Sequence, residues 1–141
     1  MQKIISLLFF CVVVGCGSSN PPNPYLVFEG EYIIDCHWEH EWLADDPDGS
    51  CDFCIPHEAS SDFGDIVTVT IIEDNIAVMV GSELNYQIEI ELNGDFKSDY
   101  NCFDGFPSNS GKLVPAGQMN YVESCNNINT HDVSKLTCIP G

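Results

Sequence analysis

Arginine is absent from this 141-residue chain, and lysine occurs only at Lys3, Lys97, Lys112 and Lys135, against 22 aspartates and glutamates. A formal net charge of −18 repels polyanions. Neutralising nucleic-acid phosphates or docking on anionic headgroups requires basic side chains, so both classes of partner are excluded. No apolar run is long enough for a stable transmembrane helix, which needs about 20 residues. Helical periodicity is nearly absent, as is any repeat at a solenoid period, which leaves one non-helical domain. No glycine-rich phosphate loop follows a strand, and neither a G-x-S-x-G elbow nor H-E-x-x-H occurs. His131-Asp132 and scattered serines could be arranged into a triad on paper, but with 22 acids some carboxylate lies near every histidine by chance. The expectation is a non-catalytic protein without a cofactor. At 44% hydrophobic and 11% aromatic the chain is too apolar for a disordered acidic tail, and it should fold.

What is present begins at the N-terminus. Lys3 precedes an apolar run from Ile4 to Val14 broken only by Ser6, the plan of a signal peptide over 1–15. Val13-Val14-Gly15-Cys16 then resembles the lipobox of bacterial lipoproteins. The resemblance implies acylation of Cys16, cleavage before it, and lasting attachment, since several acyl chains exceed the marginal anchoring of one. Gly17 is not the Asp that retains enterobacterial lipoproteins at the inner membrane, so by resemblance the outer membrane is favoured. Residues 16–24, rich in Gly, Ser, Asn and Pro, read as a tether, and the folded domain is expected over 25–141.

Within that domain period-2 alternation predicts eight strands, over 31–36, 65–72, 76–80, 84–92, 96–102, 112–114, 118–123 and 133–138. One short helix is expected around 37–43, followed by a long loop over 44–63. Parity governs the turns, because a one-residue slip turns every side chain over. A two-residue Asn93-Gly94 turn would set Phe96 opposite Glu91. A three-residue Leu92-Asn93-Gly94 loop with a left-handed Gly94 instead pairs Ile90 with Phe96 and Tyr86 with Tyr100. By the same reasoning an Asp74-Asn75 turn pairs Ile71 with Val78, and a Gly81-Ser82-Glu83 loop pairs Val80 with Leu84. The inner face of 76–80 would then be Ile76, Val78 and Val80. Such a meander is expected to close, as an all-β, antiparallel up-and-down barrel stapled by disulfides, since open edges invite aggregation.

Gly30-x-Tyr32 followed by successive hairpins and scattered cysteines loosely resembles the small lipocalin-like β-meander domains of bacterial lipoproteins. The resemblance implies a barrel that holds a small apolar ligand; the alternative is a barrel filled by its own side chains.

Six cysteines belong to the domain: Cys36, Cys51, Cys54, Cys102, Cys125 and Cys138. In an exported chain they are disulfide candidates. Three lie early and three late, and an odd group cannot pair entirely within itself, so at least one bridge should join the two ends. Zinc is the rival, through Cys36, His40, Cys51 and Cys54, with His37 and His57 nearby. A redox role for Cys51-Asp52-Phe53-Cys54 lacks the βαβ context of thioredoxin-like proteins. Asp46-Pro47-Asp48-Gly49-x-x-Asp52 resembles part of a calcium loop, with Asp46, Asp48 and Asp52 as oxygen ligands; a solvated acidic loop is the alternative.

Two functions remain open at this point. One is a non-catalytic binding module of the bacterial envelope, contacting a small apolar ligand or a protein partner through Trp38, Trp42 and the acidic loop. The other is a structural or protective component with a filled barrel, or a calcium- or zinc-stabilised module.

Overall fold

The computed structural model describes residues 21–44, 55–103, 105–127 and 131–141. A short 3-10 helix, Pro24–Phe28, leads into eight strands: β1 Gly30–Ala44, β2 Ile55–Glu73, β3 Ile76–Val80, β4 Asn85–Ile90, β5 Asp95–Ser98, β6 Phe106–Val114, β7 Gln118–Asn127 and β8 Asp132–Pro140. Each pairs antiparallel with its chain neighbours, and β1 also pairs with β8, closing the barrel in strand order β1 to β8. Closure pairs both edges of the sheet through the body of the barrel, where an open edge would invite another chain to add a strand. The outward positions carry Glu31, Asp35, Glu89, Glu91 and Lys97, all exposed, so the wall faces water.

One end of the barrel is plugged. The 3-10 helix lies across it with Phe28 buried, and the Tyr32 hydroxyl donates to the Phe28 carbonyl at 2.8 Å. Pro24 fits the first helical turn because that position needs no N–H donor. Asn23 caps the helix by accepting from the Tyr25 N–H at 2.9 Å, and its amide donates to the Asp74 carbonyl at 2.8 Å. Asn23 thus ties the helix to the turn after β2. Above the plug, Tyr32, Ile34, Val67, Val69, Met79, Ile88, Ile90, Leu113 and Met119 fill the interior and are almost wholly buried.

The β4–β5 hairpin has the expected three-residue loop. Ile90 pairs with Phe96, Gly94 has φ +89°, and its N–H donates to the Glu91 carbonyl at 2.8 Å. The Tyr86 and Tyr100 rings meet edge to face, centroids 5.9 Å apart. Strand β5 itself ends at Ser98, short of the expected Cys102. Beyond Gly111 its partner strand offers a side chain rather than backbone. The Asn109 carbonyl oxygen accepts from the Ser98 N–H at 2.7 Å, and the Asn109 amide donates to the Ser98 carbonyl at 3.2 Å.

Two neighbouring hairpins depart from expectation. A bulge between Ile71 and Glu73 pairs Ile71 with Ala77, not Val78, so Ala77 and Met79 face inward while Val80 is exposed. Ile76–Val80 is apolar at every position, so alternation could not choose its face, and the bulge chose it. Val80 then pairs with Asn85, not Leu84. Leu84 closes a four-residue turn by accepting from the Gly81 N–H at 2.6 Å.

The largest correction concerns 37–63. No helix forms at 37–43; β1 continues to Ala44, and β2 starts at Ile55 rather than after Phe63. Trp38, His40 and Trp42 alternate with His37, Glu39 and Glu41, a period of two that histidine partly masks. The β1–β2 ladder runs from Gly30↔Val69 to Ala44↔Ile55, whereas β8 pairs with β1 only from Ile34 to Glu41. The hairpin therefore projects past β8 at the end opposite the plug.

Candidate functional site

At that open end, register places four inward residues side by side across four strands. Glu123 of β7 pairs with Leu136 of β8, Leu136 with Trp38 of β1, and Trp38 with Ser61 of β2. The row beneath is Tyr121, Cys138, Cys36 and Phe63, joined by the same ladders. Between the rows and the mouth lies a cavity of about 500 Å³ lined by Trp38, Ser61, Phe63, Gly64, Ser82, Glu83, Glu123 and Leu136. Trp38, Phe63 and Leu136 supply aromatic and aliphatic surface, and Ser61, Ser82, Glu83 and Glu123 polar surface. Among the described residues lining it, none is basic.

Glu123 is the polar centre. Its carboxylate accepts from the Tyr121 hydroxyl at 2.8 Å and from the Tyr86 hydroxyl at 3.3 Å. Tyr121 also shares a 2.8 Å hydrogen bond with the Ser98 hydroxyl. Burial pushes the Glu123 carboxyl above the usual carboxylate range, and the tyrosine hydrogen bonds oppose that shift without cancelling it. Burial raises the Tyr86 and Tyr121 phenols as well, with the Glu123 charge adding to it, so both remain protonated donors. Phe96 stacks on Tyr121 with centroids 5.7 Å apart, which continues the aromatic lining into the filled half.

A larger depression, about 650 Å³, lies where β5 and β6 pair only at Asp95 and Phe96. It opens on the outer wall between Glu89, Glu91, Lys97 and Lys112, and the Lys112 ammonium is engaged by Asp95 at 2.8 Å. The mouth is the better candidate, because it is a concavity at the open end of the barrel that brings Trp38, Phe63 and Leu136 beside the partly buried Glu123 carboxylate.

Farther out on the projecting hairpin, His40 stacks on Trp42 and Trp42 on His57, with centroids 4.9 and 5.4 Å apart. The Trp38 and His40 rings are tilted, 5.7 Å apart. This aromatic ladder leads from solvent to the cavity.

The cysteine expectations resolve in part. Cys36 is bonded to Cys138 and Cys102 to Cys125; the first joins an early cysteine to a late one. A sulfur held in that bond is no thiolate, so Cys36 is not free to ligate zinc, and His40 stacks on Trp42. Among the described residues no three His, Cys, Asp or Glu side chains are grouped to hold a metal ion. Cys16, Cys51 and Cys54, and the calcium candidates Asp46, Asp48 and Asp52, lie outside the described residues.

The sequence offers Trp38 as a candidate contact residue, and the structure places it in the lining of the mouth. Nothing in the sequence pattern groups Glu123, Tyr86, Tyr121 and Phe63. The available signal was Glu123 falling in phase with Met119 and Tyr121, an acid on the inward parity of a strand. No protein-family model, curated protein or solved structure matches the chain.

Proposed function

We propose that this protein is a lipid-anchored module of the bacterial envelope, acylated at Cys16 and held in the outer membrane. The lipocalin-like barrel binds a small, largely apolar molecule in its mouth and catalyses no reaction. The observation that carries the reading is the cavity of about 500 Å³ at the unplugged end, walled by Trp38, Phe63 and Leu136. That volume falls within the range of small-molecule sites, about 300 to 1,000 Å³. A projecting hairpin faced with Trp42 and His57 gives an incoming ligand or a protein partner a landing surface.

The test is solvent extraction of the purified full-length protein, with native mass spectrometry before and after. A small molecule released in near-equal proportion to protein supports the reading. A second reading has its own support: the half of the barrel nearest the plug is packed solid, as a purely structural envelope component would require. An empty extract together with failure to bind added apolar amines, alcohols and acids would favour that second reading.

A further inference from the structure

We infer that the barrel mouth selects small molecules carrying a protonated amine on an apolar body, with the ammonium group seated on Glu123. This rests on the mouth being a binding site and adds the chemistry of what it takes. Glu123 lines the cavity together with Trp38, Phe63 and Leu136, and among the described residues its carboxylate receives two hydroxyl donors, from Tyr121 and Tyr86. An ionised carboxylate offers about four acceptor sites, so capacity is left for donors from a ligand.

No basic side chain among the described residues is paired with Glu123. Lys112 is engaged by Asp95 at 2.8 Å and Lys135 by Glu39 at 3.4 Å, both outside the cavity. A partly buried carboxylate with no cationic partner is destabilising, and a bound ammonium supplies the missing charge. Electron-rich rings reinforce the preference, because aromatic faces attract cations within about 6 Å. Glu83 lines the same cavity, and a formal net charge of −18 favours cations at the entrance. The same field opposes fatty acids and other carboxylates, which separates this site from a general apolar calyx.

Three probes that share a 2-phenylethyl body distinguish the possibilities: 2-phenylethylamine, 2-phenylethanol and 3-phenylpropionate. Binding is read by calorimetry, and by Trp38 fluorescence in a Trp42→Phe protein, where Trp38 is the remaining tryptophan of the two. The amine should bind roughly 10- to 100-fold more tightly than the alcohol, the ratio of one charged hydrogen-bonded contact, and the acid more weakly than either. Glu123→Gln, which keeps the side-chain volume, should bring amine and alcohol to equal affinity, while Glu83→Gln should leave most of the discrimination. Circular dichroism of each variant verifies the fold. Equal binding of amine and alcohol by the native protein would overturn the amine inference and leave the mouth as a site. Discrimination that survives Glu123→Gln would overturn the assignment to Glu123. Failure of all three probes to bind would overturn the amine inference, and together with an empty solvent extract it would overturn the mouth as a site.

Discussion

Cys36 and Cys138 stand directly opposite each other on β1 and β8, and their disulfide crosses the seam where the first and last strands close the barrel. The bond is buried and spans 102 residues of sequence. It lies one row beneath Trp38 and Leu136, so it also braces the floor of the mouth.

Removing that bond should therefore loosen the barrel as a whole. Replacing Cys36 and Cys138 together by alanine is expected to lower unfolding free energy by about 5 kcal/mol, following the loop-entropy argument for a closed loop of this size. Urea titration measures it. Non-reducing digestion should recover one peptide pair joined through Cys36 and Cys138 and another through Cys102 and Cys125.

Gly111 is required by Phe96. A Cβ at Gly111 would overlap the Phe96 ring, which covers the glycine at the short β5–β6 pairing. Gly111→Ala should cost about 1 to 3 kcal/mol by overpacking. In a double-mutant cycle with Phe96→Leu the two losses should add to less than their sum, because the smaller side chain relieves the clash.

Asp65 organises the turn between β3 and β4. Its carboxylate accepts from the Ser82 N–H at 2.9 Å and the Glu83 N–H at 3.4 Å, as well as from the Ile66 N–H at 2.8 Å. Asp65→Ala should destabilise by roughly 1 to 2 kcal/mol, as loss of a capping carboxylate does. Faster amide exchange at Ser82 and Glu83 would identify the cause.

Glu123 sets a pH dependence of definite sign. Its folded-state pKa lies above the ordinary value of 4.5, so between the two values the native state holds the proton more tightly than the unfolded chain. Stability from this group is present at low pH and declines as pH rises through that window. Glu123→Gln should accordingly melt at a higher temperature than the native protein at pH 7, with the difference shrinking below pH 4.5. Thermal unfolding of both proteins across pH 3 to 8 measures the difference directly and cancels the general effect of the acidic surface.

The anchor gives the last prediction. Cys16→Ser should either move the protein from detergent-extractable membranes to the soluble fraction or leave an unprocessed precursor. Mature mutant protein that still partitions into detergent like the native form would refute acylation at that residue.

Local pattern was sufficient for much of this architecture. Alternation along 84–92 set the inner face of β4, and parity with Phe96 required a three-residue turn at Gly94, because side-chain direction in a strand depends only on neighbours in sequence. The odd division of the cysteines required a bridge between the two ends of the chain, and Cys36–Cys138 is one. Tertiary structure decided what local pattern left degenerate. Ile76–Val80 is apolar on both sides, so its face followed from the bulge before it. The stretch from His37 to Leu43 became strand because β2 and β8 were there to pair with it. Glu123 acquired its position only on closure: β7 and β8 had to meet β1 before it stood in one row with Leu136 and Trp38. That is a relation among residues 85 positions apart, from Trp38 to Glu123, which no window of sequence contains.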